Sequence, residues 1–262
     1  MKNRDSNDSG ASQSLIRVIR ERPERLFAVG DIHGCYDELA PLLDYLDSKR
    51  GLSDRDQLIF IGDYIDRGVA SKQVVDRLLE VRKRWPKSVF LKGNHEEMLL
   101  DFLGLGGSNG EYYLKNGGDK FFASYGIEPA GSLSELRDAL PSEHLEFFQS
   151  LEIGVSLAEF VFVHAGISPD LELDRQRVGD LLWIRENFIS SPHNLGKTVV
   201  FGHTAFNQVL LDLPYKIGID TGAVYGNRLS AVELVAGDLY QVEAGERGVK
   251  ELSLRDLLPS ST

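Results

Sequence analysis

The feature that most restricts the fold is a set of short apolar runs, each closing on a polar residue able to bind a cation. RLFAVG (25–30) leads into Asp31 and His33, QLIFIG (57–62) into Asp63, and SVFLKG (88–93) into Asn94 and His95. FVFV runs into His164 and VVFG into His203. Short, wholly apolar runs read as buried strands. Helical patterns at about Tyr36–Ser48 and Ser71–Arg84 separate the first three, so this half reads as βαβαβ with parallel pairing. In such sheets the carboxyl ends of neighbouring strands converge on one crevice. Five segments, spread over about 170 residues, are therefore expected to bring Asp31, His33, Asp63, Asn94, His164 and His203 to one place.

The remaining chain fits around that frame. Residues 1–14 are polar and aperiodic and read as a disordered tail. QVLLDL (208–213), KIGIDTG (216–222), RLSAVELVAG (228–237) and DLYQVEA (238–244) are further strands whose short breaks favour hairpins. Between about 97 and 156 the pattern is helical and interrupted by glycines, which predicts a helical insertion over one edge of the fold. The expected architecture is an α/β sandwich of two mixed sheets flanked by helices, one domain over 15–262. Tyr112, Tyr113, Asn116, Gly117 and Gly118 of the insertion read either as a packed helix start or as an aromatic wall beside the site.

Charge narrows the partners. Lys and Arg number 29 against 40 Asp and Glu, a net charge of −11. Such a surface repels phosphate backbones and anionic lipid, which excludes a general nucleic-acid or polybasic membrane binder but not a small phosphate ester. The single cysteine, Cys35, rules out an internal disulfide and a cysteine-based zinc site. Nothing around it resembles a cysteine phosphatase loop, so it reads as a half-buried bystander. No run reaches the roughly 18 apolar residues of a membrane span, and the N-terminus lacks a signal-peptide core, so a cytoplasmic location is expected.

The converging donors are three imidazoles, two carboxylates and an amide oxygen. That mixture suits Mn²⁺, Fe²⁺ or Zn²⁺ and is too nitrogen-rich for Ca²⁺. Six donors exceed the need of one tetrahedral ion and point to two ions bridged by a shared carboxylate, an arrangement suited to in-line attack on phosphorus. A lone strand-end histidine is more often a satisfied structural group, but here four of six follow the pattern. His144 and His193 do not, and are expected on a surface helix and in a loop. Gly196-Lys197-Thr198 ends like a P-loop, yet Ser191 stands at the first glycine position and a strand follows. The glycines from Gly104 to Gly110 lack dinucleotide-binding spacing and read as a flexible loop.

Gly30-Asp31-Ile32-His33-Gly34, Gly62-Asp63-Tyr64-Ile65-Asp66-Arg67-Gly68 and Gly93-Asn94-His95-Glu96 resemble the three signature blocks of the phosphoprotein phosphatase family of metallophosphoesterases. Val163-His164-Ala165-Gly166 and Gly202-His203-Thr204 resemble its later histidine motifs, and the likeness runs in order over about 26–235. The resemblance implies that Asp31, His33 and Asp63 hold one metal and that Asp63, Asn94, His164 and His203 hold a second, Mn²⁺ being the first choice. It implies His95 as general acid, Asp66 as the carboxylate that holds its imidazolium form, and Arg67 and Arg185 as clamps on the phosphoryl group. Tyr225 is similar in place to a tyrosine near the substrate. The implied reaction is direct attack of a metal-bridging hydroxide on phosphorus, without a phosphoenzyme.

The family serves two chemistries: dephosphorylation of serine, threonine and sometimes tyrosine in proteins, and hydrolysis of dinucleoside polyphosphates. Asp66-Arg67 and Glu96 look like the protein phosphatases, since in symmetrical diadenosine tetraphosphatases the resemblance implies no such aspartate and an Asp ending the third block. Asp220-Thr221-Gly222-Ala223-Val224-Tyr225-Gly226 resembles bacterial members of broad substrate use, nucleotide hydrolases included. Phosphorylated proteins or peptides are the expected substrates, with dinucleotides or small phosphate esters the alternative. A regulatory protein on an inactive phosphatase fold is disfavoured, because no ligand position is visibly replaced.

Overall fold

Side-chain alternation along the buried strands sorts the molecule into layers. The computed structural model describes residues 14–257, so the expected tail, apart from Ser14, lies outside the described residues. In β2 (Leu26–Val29), Leu26 and Ala28 face inward between two sheets while Phe27 and Val29 face a helical layer. In β3 (Gln57–Phe60), Ile59 points inward and Leu58 and Phe60 outward. The period of two thus feeds two cores from one strand.

One sheet runs β12-β11-β10-β2-β3-β4, with β4 (Val89–Phe90), β10 (Arg228–Glu233), β11 (Asp238–Glu243) and β12 (Val249–Ser253). Its β2, β3 and β4 are parallel, while β10, β11 and β12 form antiparallel neighbours. The other runs β1-β5-β6-β7-β9-β8, from β1 (Ile16–Ile19), β5 (Gly154–Leu157), β6 (Phe160–Val163), β7 (Thr198–Phe201), β8 (Leu210–Asp212) and β9 (Lys216–Gly218). Both sheets are mixed, as expected.

Helices α1 (Tyr36–Ser48) and α2 (Ser71–Arg84) cover the outer face of the first sheet at the predicted bounds. The insertion adds α3 (Asn94–Phe102), two 3-10 turns at Gly110–Tyr112 and Leu114–Asn116, α4 (Gly118–Tyr125), α5 (Leu133–Ala139) and α6 (Ser142–Gln149). These helices share the core of α1 and α2 through Phe121, Phe122, Phe147 and Phe148. The helical stretch ends at Gln149, so the expected boundary at 156 is too late: β5 begins at Gly154 and pairs with β1. On the far side, α7 (Val178–Trp183) and α8 (Glu186–Ile189) bury Leu181 and Phe188 against Val161, Val199 and Phe201. No helix among the described residues is long and apolar enough to cross a membrane.

Candidate active site

The loops leaving β2, β3 and β7 are held in backbone conformations that L-residues rarely adopt. Of seven non-glycine residues with positive φ among those described, five are here: His33, Asp63, Asp66, Arg67 and His203, at φ between 46° and 72°. Such strain persists only where the surroundings over-determine it, and it concentrates at functional sites. Two glycines make room for carboxylates: a Cβ on Gly93 would lie 2.1 Å from Asp63 Oδ1, and one on Gly202 2.0 Å from Asp31 Oδ1.

Glu96 fastens two of these loops together. Its carboxylate accepts the amides of Asp63 (3.0 Å), Tyr64 (2.8 Å) and Gly93 (2.9 Å). Burial, then the charge of Asp63, pushes its carboxyl up to about 7 against these amide bonds. This role escaped the sequence reading, although glutamate three residues after Gly93 is a capping-box spacing.

All six expected donors come together, and all are buried. His33 and His164 each direct Nδ1 to a backbone carbonyl, Ile65 O and Ile61 O, both at 2.8 Å. A carbonyl partner on Nδ1 fixes the tautomer and turns the Nε2 lone pair inward, as in metal-binding histidines. Asp63 Oδ2 lies 3.3 Å from His33 Nε2 and 3.4 Å from His164 Nε2. Asn94 Oδ1 faces His164 Nε2 (3.0 Å) and His203 Nδ1 (2.8 Å), and Asp31 Oδ2 accepts the amide of His203 at 3.0 Å. Asp31 Oδ1, His95 Nε2 and His203 Nε2 are buried with no hydrogen-bond partner among the described residues.

Two donor triplets are compact enough to share a cation: His33, Asp63 and His95, and Asp63, His164 and His203, with donor atoms within 4.8 Å of one another. Asp63 belongs to both, and the first holds His95 where Asp31 was expected. Buried orphans, an N/O donor set and a shared carboxylate fit two divalent cations. Burial works to raise the Asp63 carboxyl, but His164, His95 and His33 together hold it well below its ordinary range. Burial opposes a charge on His164, yet Asp63 and then Asp31 lift it to about 9. His203 is pushed down to about 2 by burial and by His164. Asp31 is raised by burial and then by Asp220, a buried carboxylate the sequence reading left without a role.

Beside the donors, His95 Nδ1 meets Asp66 Oδ2 at 2.6 Å, both side chains fully buried. Asp66 Oδ1 accepts the hydroxyl of Tyr113 at 2.7 Å. Burial pushes His95 well below its ordinary value against the pull of Asp63, and pushes Asp66 well above its own against the hydrogen bond from Tyr113. Arg67 Nη1 donates to His33 Nε2 at 2.6 Å, so a cation there and this guanidinium compete for one lone pair. Arg67 sits 5.7 Å from the ring of exposed Tyr225. Arg185, on the opposite rim, donates to His203 O (2.9 Å) and Thr204 Oγ1 (3.1 Å).

A recess of about 540 Å³ opens next to Arg67, lined by Cys35, Tyr36, Val69, Ala223 and Val224 with Asp37 and Glu38. Burial, with Glu38 and Asp37 nearby, pushes the Cys35 thiol up to about 12, which suits a bystander. His144 and His193 are not at the surface. His144 is buried between Tyr125 and Asp76, and His193 Nε2 donates to Tyr215 O at 2.8 Å while the ring stacks on Phe188. Local pattern could not reveal partners so distant in sequence.

Fold and donor set together define a metallophosphoesterase, and the chain belongs to the calcineurin-like phosphoesterase family, whose model matches residues 24–229. It is thus a phosphoester hydrolase of a metal-dependent family. Among its relatives, serine/threonine-protein phosphatase 1 of Salmonella typhimurium is 31% identical over 223 residues, covering 83% of this chain and 95% of that protein. An asymmetrical bis(5'-nucleosyl)-tetraphosphatase of Oceanobacillus iheyensis is 26% identical over 250 residues, covering 85% and 94%. The crystal structure of a proposed diadenosine tetraphosphatase superposes with a TM-score of 0.65 at 24% identity, covering 88% of this chain and 99% of that one.

Proposed function

We propose that the chain is a dinuclear, Mn²⁺-dependent phosphatase that removes phosphate from phosphoserine and phosphothreonine in proteins, with phosphotyrosine a further substrate. The carrying observation is the buried Asp66–His95 pair, with His95 Nε2 left without a partner. Hydrolysis of a serine phosphate expels an alkoxide, which needs a proton as it departs; a polyphosphate leaving group is far less basic and needs little help. A buried acid is therefore machinery for a monoester of an alcohol. Asp31, His33, Asp63, Asn94, His164 and His203 would hold the cations. Such ions supply an activated water and neutralise charge on the phosphoryl oxygens.

The chain's own groups do the rest. Arg67 and Arg185 fork onto the phosphoryl oxygens from opposite rims, a geometry guanidinium suits better than ammonium. In its protonated form His95 would pass the proton on Nε2 to the leaving oxygen while Asp66 fixes the ring through Nδ1. The recess beside Arg67 also favours a peptide: it carries Asp37 and Glu38 and no other Lys or Arg, an unfavourable seat for a polyphosphate tail.

A second reading, hydrolysis of dinucleoside tetraphosphates, is favoured by the Oceanobacillus relative. Steady-state kcat/KM on a phosphoserine peptide against diadenosine tetraphosphate decides between them. The peptide is expected to be preferred. A hundredfold preference for the dinucleotide would overturn the proposal.

A further inference from the structure

We propose that Tyr113 is a positioning residue for the Asp66–His95 pair, so that the helical insertion completes the machinery at the strand ends. The inference rests on the reading of His95 as the acid. The two oxygens of Asp66 are divided between Tyr113, which donates to Oδ1 at 2.7 Å, and His95, which meets Oδ2 at 2.6 Å. A carboxylate with one oxygen tied keeps some freedom about its last bond; with both tied its plane is fixed far more closely. Without the tyrosine hydroxyl, Oδ1 would sit buried without that donor, and the carboxylate would swing to find another. His95 would then lose the fixed partner that aims Nε2.

The tyrosine is itself held. Its ring is fully buried and packs against Phe102, Phe121 and Phe122, with centroids 5.4, 6.4 and 6.2 Å away. Gly118 lies against it so closely that a Cβ there would come within 2.5 Å of the ring. The same turn grips the next residue, since Gly117 O accepts the amide of Arg67 at 3.2 Å. A Cβ on Gly117 would meet Arg67 Cγ at 2.8 Å. The insertion therefore touches Asp66 and Arg67 at once, while Tyr113, being wholly buried, does not contact substrate.

The test is a leaving-group series on the metal-loaded full chain. Tyr113→Phe keeps the ring and removes only the hydroxyl. It should lower kcat for a phosphoserine peptide about tenfold with KM unchanged, and lower kcat for p-nitrophenyl phosphate about twofold or less, because nitrophenolate leaves without a proton. Gly118→Ala, which displaces the ring and keeps the hydroxyl, should give the same selective loss. Equal losses on both substrates, or none on either, would overturn the inference. His95→Asn run in the same series separates the two levels: if it shows no leaving-group dependence, the acid reading itself fails. If it does and Tyr113→Phe does not, only the positioning role fails.

Discussion

The two ends of the sandwich treat charge in opposite ways. At the amino ends of β3 and β4 a recess of about 360 Å³ is lined by Arg17, Glu21, Arg55, Asp56, Lys87 and Glu152. There Arg17 meets Glu152 at 2.5 Å, Arg25 meets Asp56 at 2.5 Å, Arg55 meets Glu24 at 2.7 Å and Lys87 meets Glu21 at 2.8 Å. Most of these charges are well exposed. At the carboxyl ends Asp31, Asp63, Asp66, Glu96 and Asp220 are buried around imidazoles, with three polar atoms unpartnered. Both ends are concave and polar. Only one has buried charge that the described residues leave unanswered, and that is the end where a cation or an anionic substrate gains most.

The contrast can be broken by substitutions graded from one end to the other. Asp63→Asn removes the carboxylate common to both donor triplets. It should abolish bound metal and lower p-nitrophenyl phosphate turnover by about three orders of magnitude, as metal analysis and rates on one preparation would show. Gly93→Ala drives a methyl group against Asp63 Oδ1. It should destabilise the fold by about 1–3 kcal/mol in urea unfolding and weaken the thermal stabilisation given by Mn²⁺.

Between the ends, His144 links α6 of the insertion to α2. Burial lowers it below its ordinary value of 6.5, so the unfolded chain binds the extra proton more readily. Its contribution is intact above about pH 6.5 and is lost as pH falls through its folded value. Wild type should therefore lose melting temperature more steeply than His144→Gln between pH 7 and 5; equal slopes would remove His144 from the account. Glu21→Gln, at the paired end, should change stability by less than about 0.5 kcal/mol and leave turnover alone. A large loss of activity there would erase the distinction.

How much was legible follows from the same physics. The strands β2, β3 and β6 and helices α1 and α2 announce themselves because short apolar runs closed by glycine, and amphipathic stretches, carry their own period. The edge strands β1 and β12 do not: IRVI leaves Val18 exposed and VKELS is largely polar, so pairing rather than composition makes them strands. The six donors were readable because each follows a strand. Glu96 and Tyr113 act through partners 33 and 47 residues away, and no local pattern encodes those meetings.

The donors divide by sheet. Asp31, His33, Asp63 and Asn94 follow strands of one sheet, and His164 and His203 follow strands of the other, so the triplet of Asp63, His164 and His203 draws on both halves of the sandwich. A cation held by that triplet would therefore act as a clasp across the interior seam, and its grip would report how well the halves are aligned. Slippage of one half by a single residue, too slight to unfold anything, would be enough to open it.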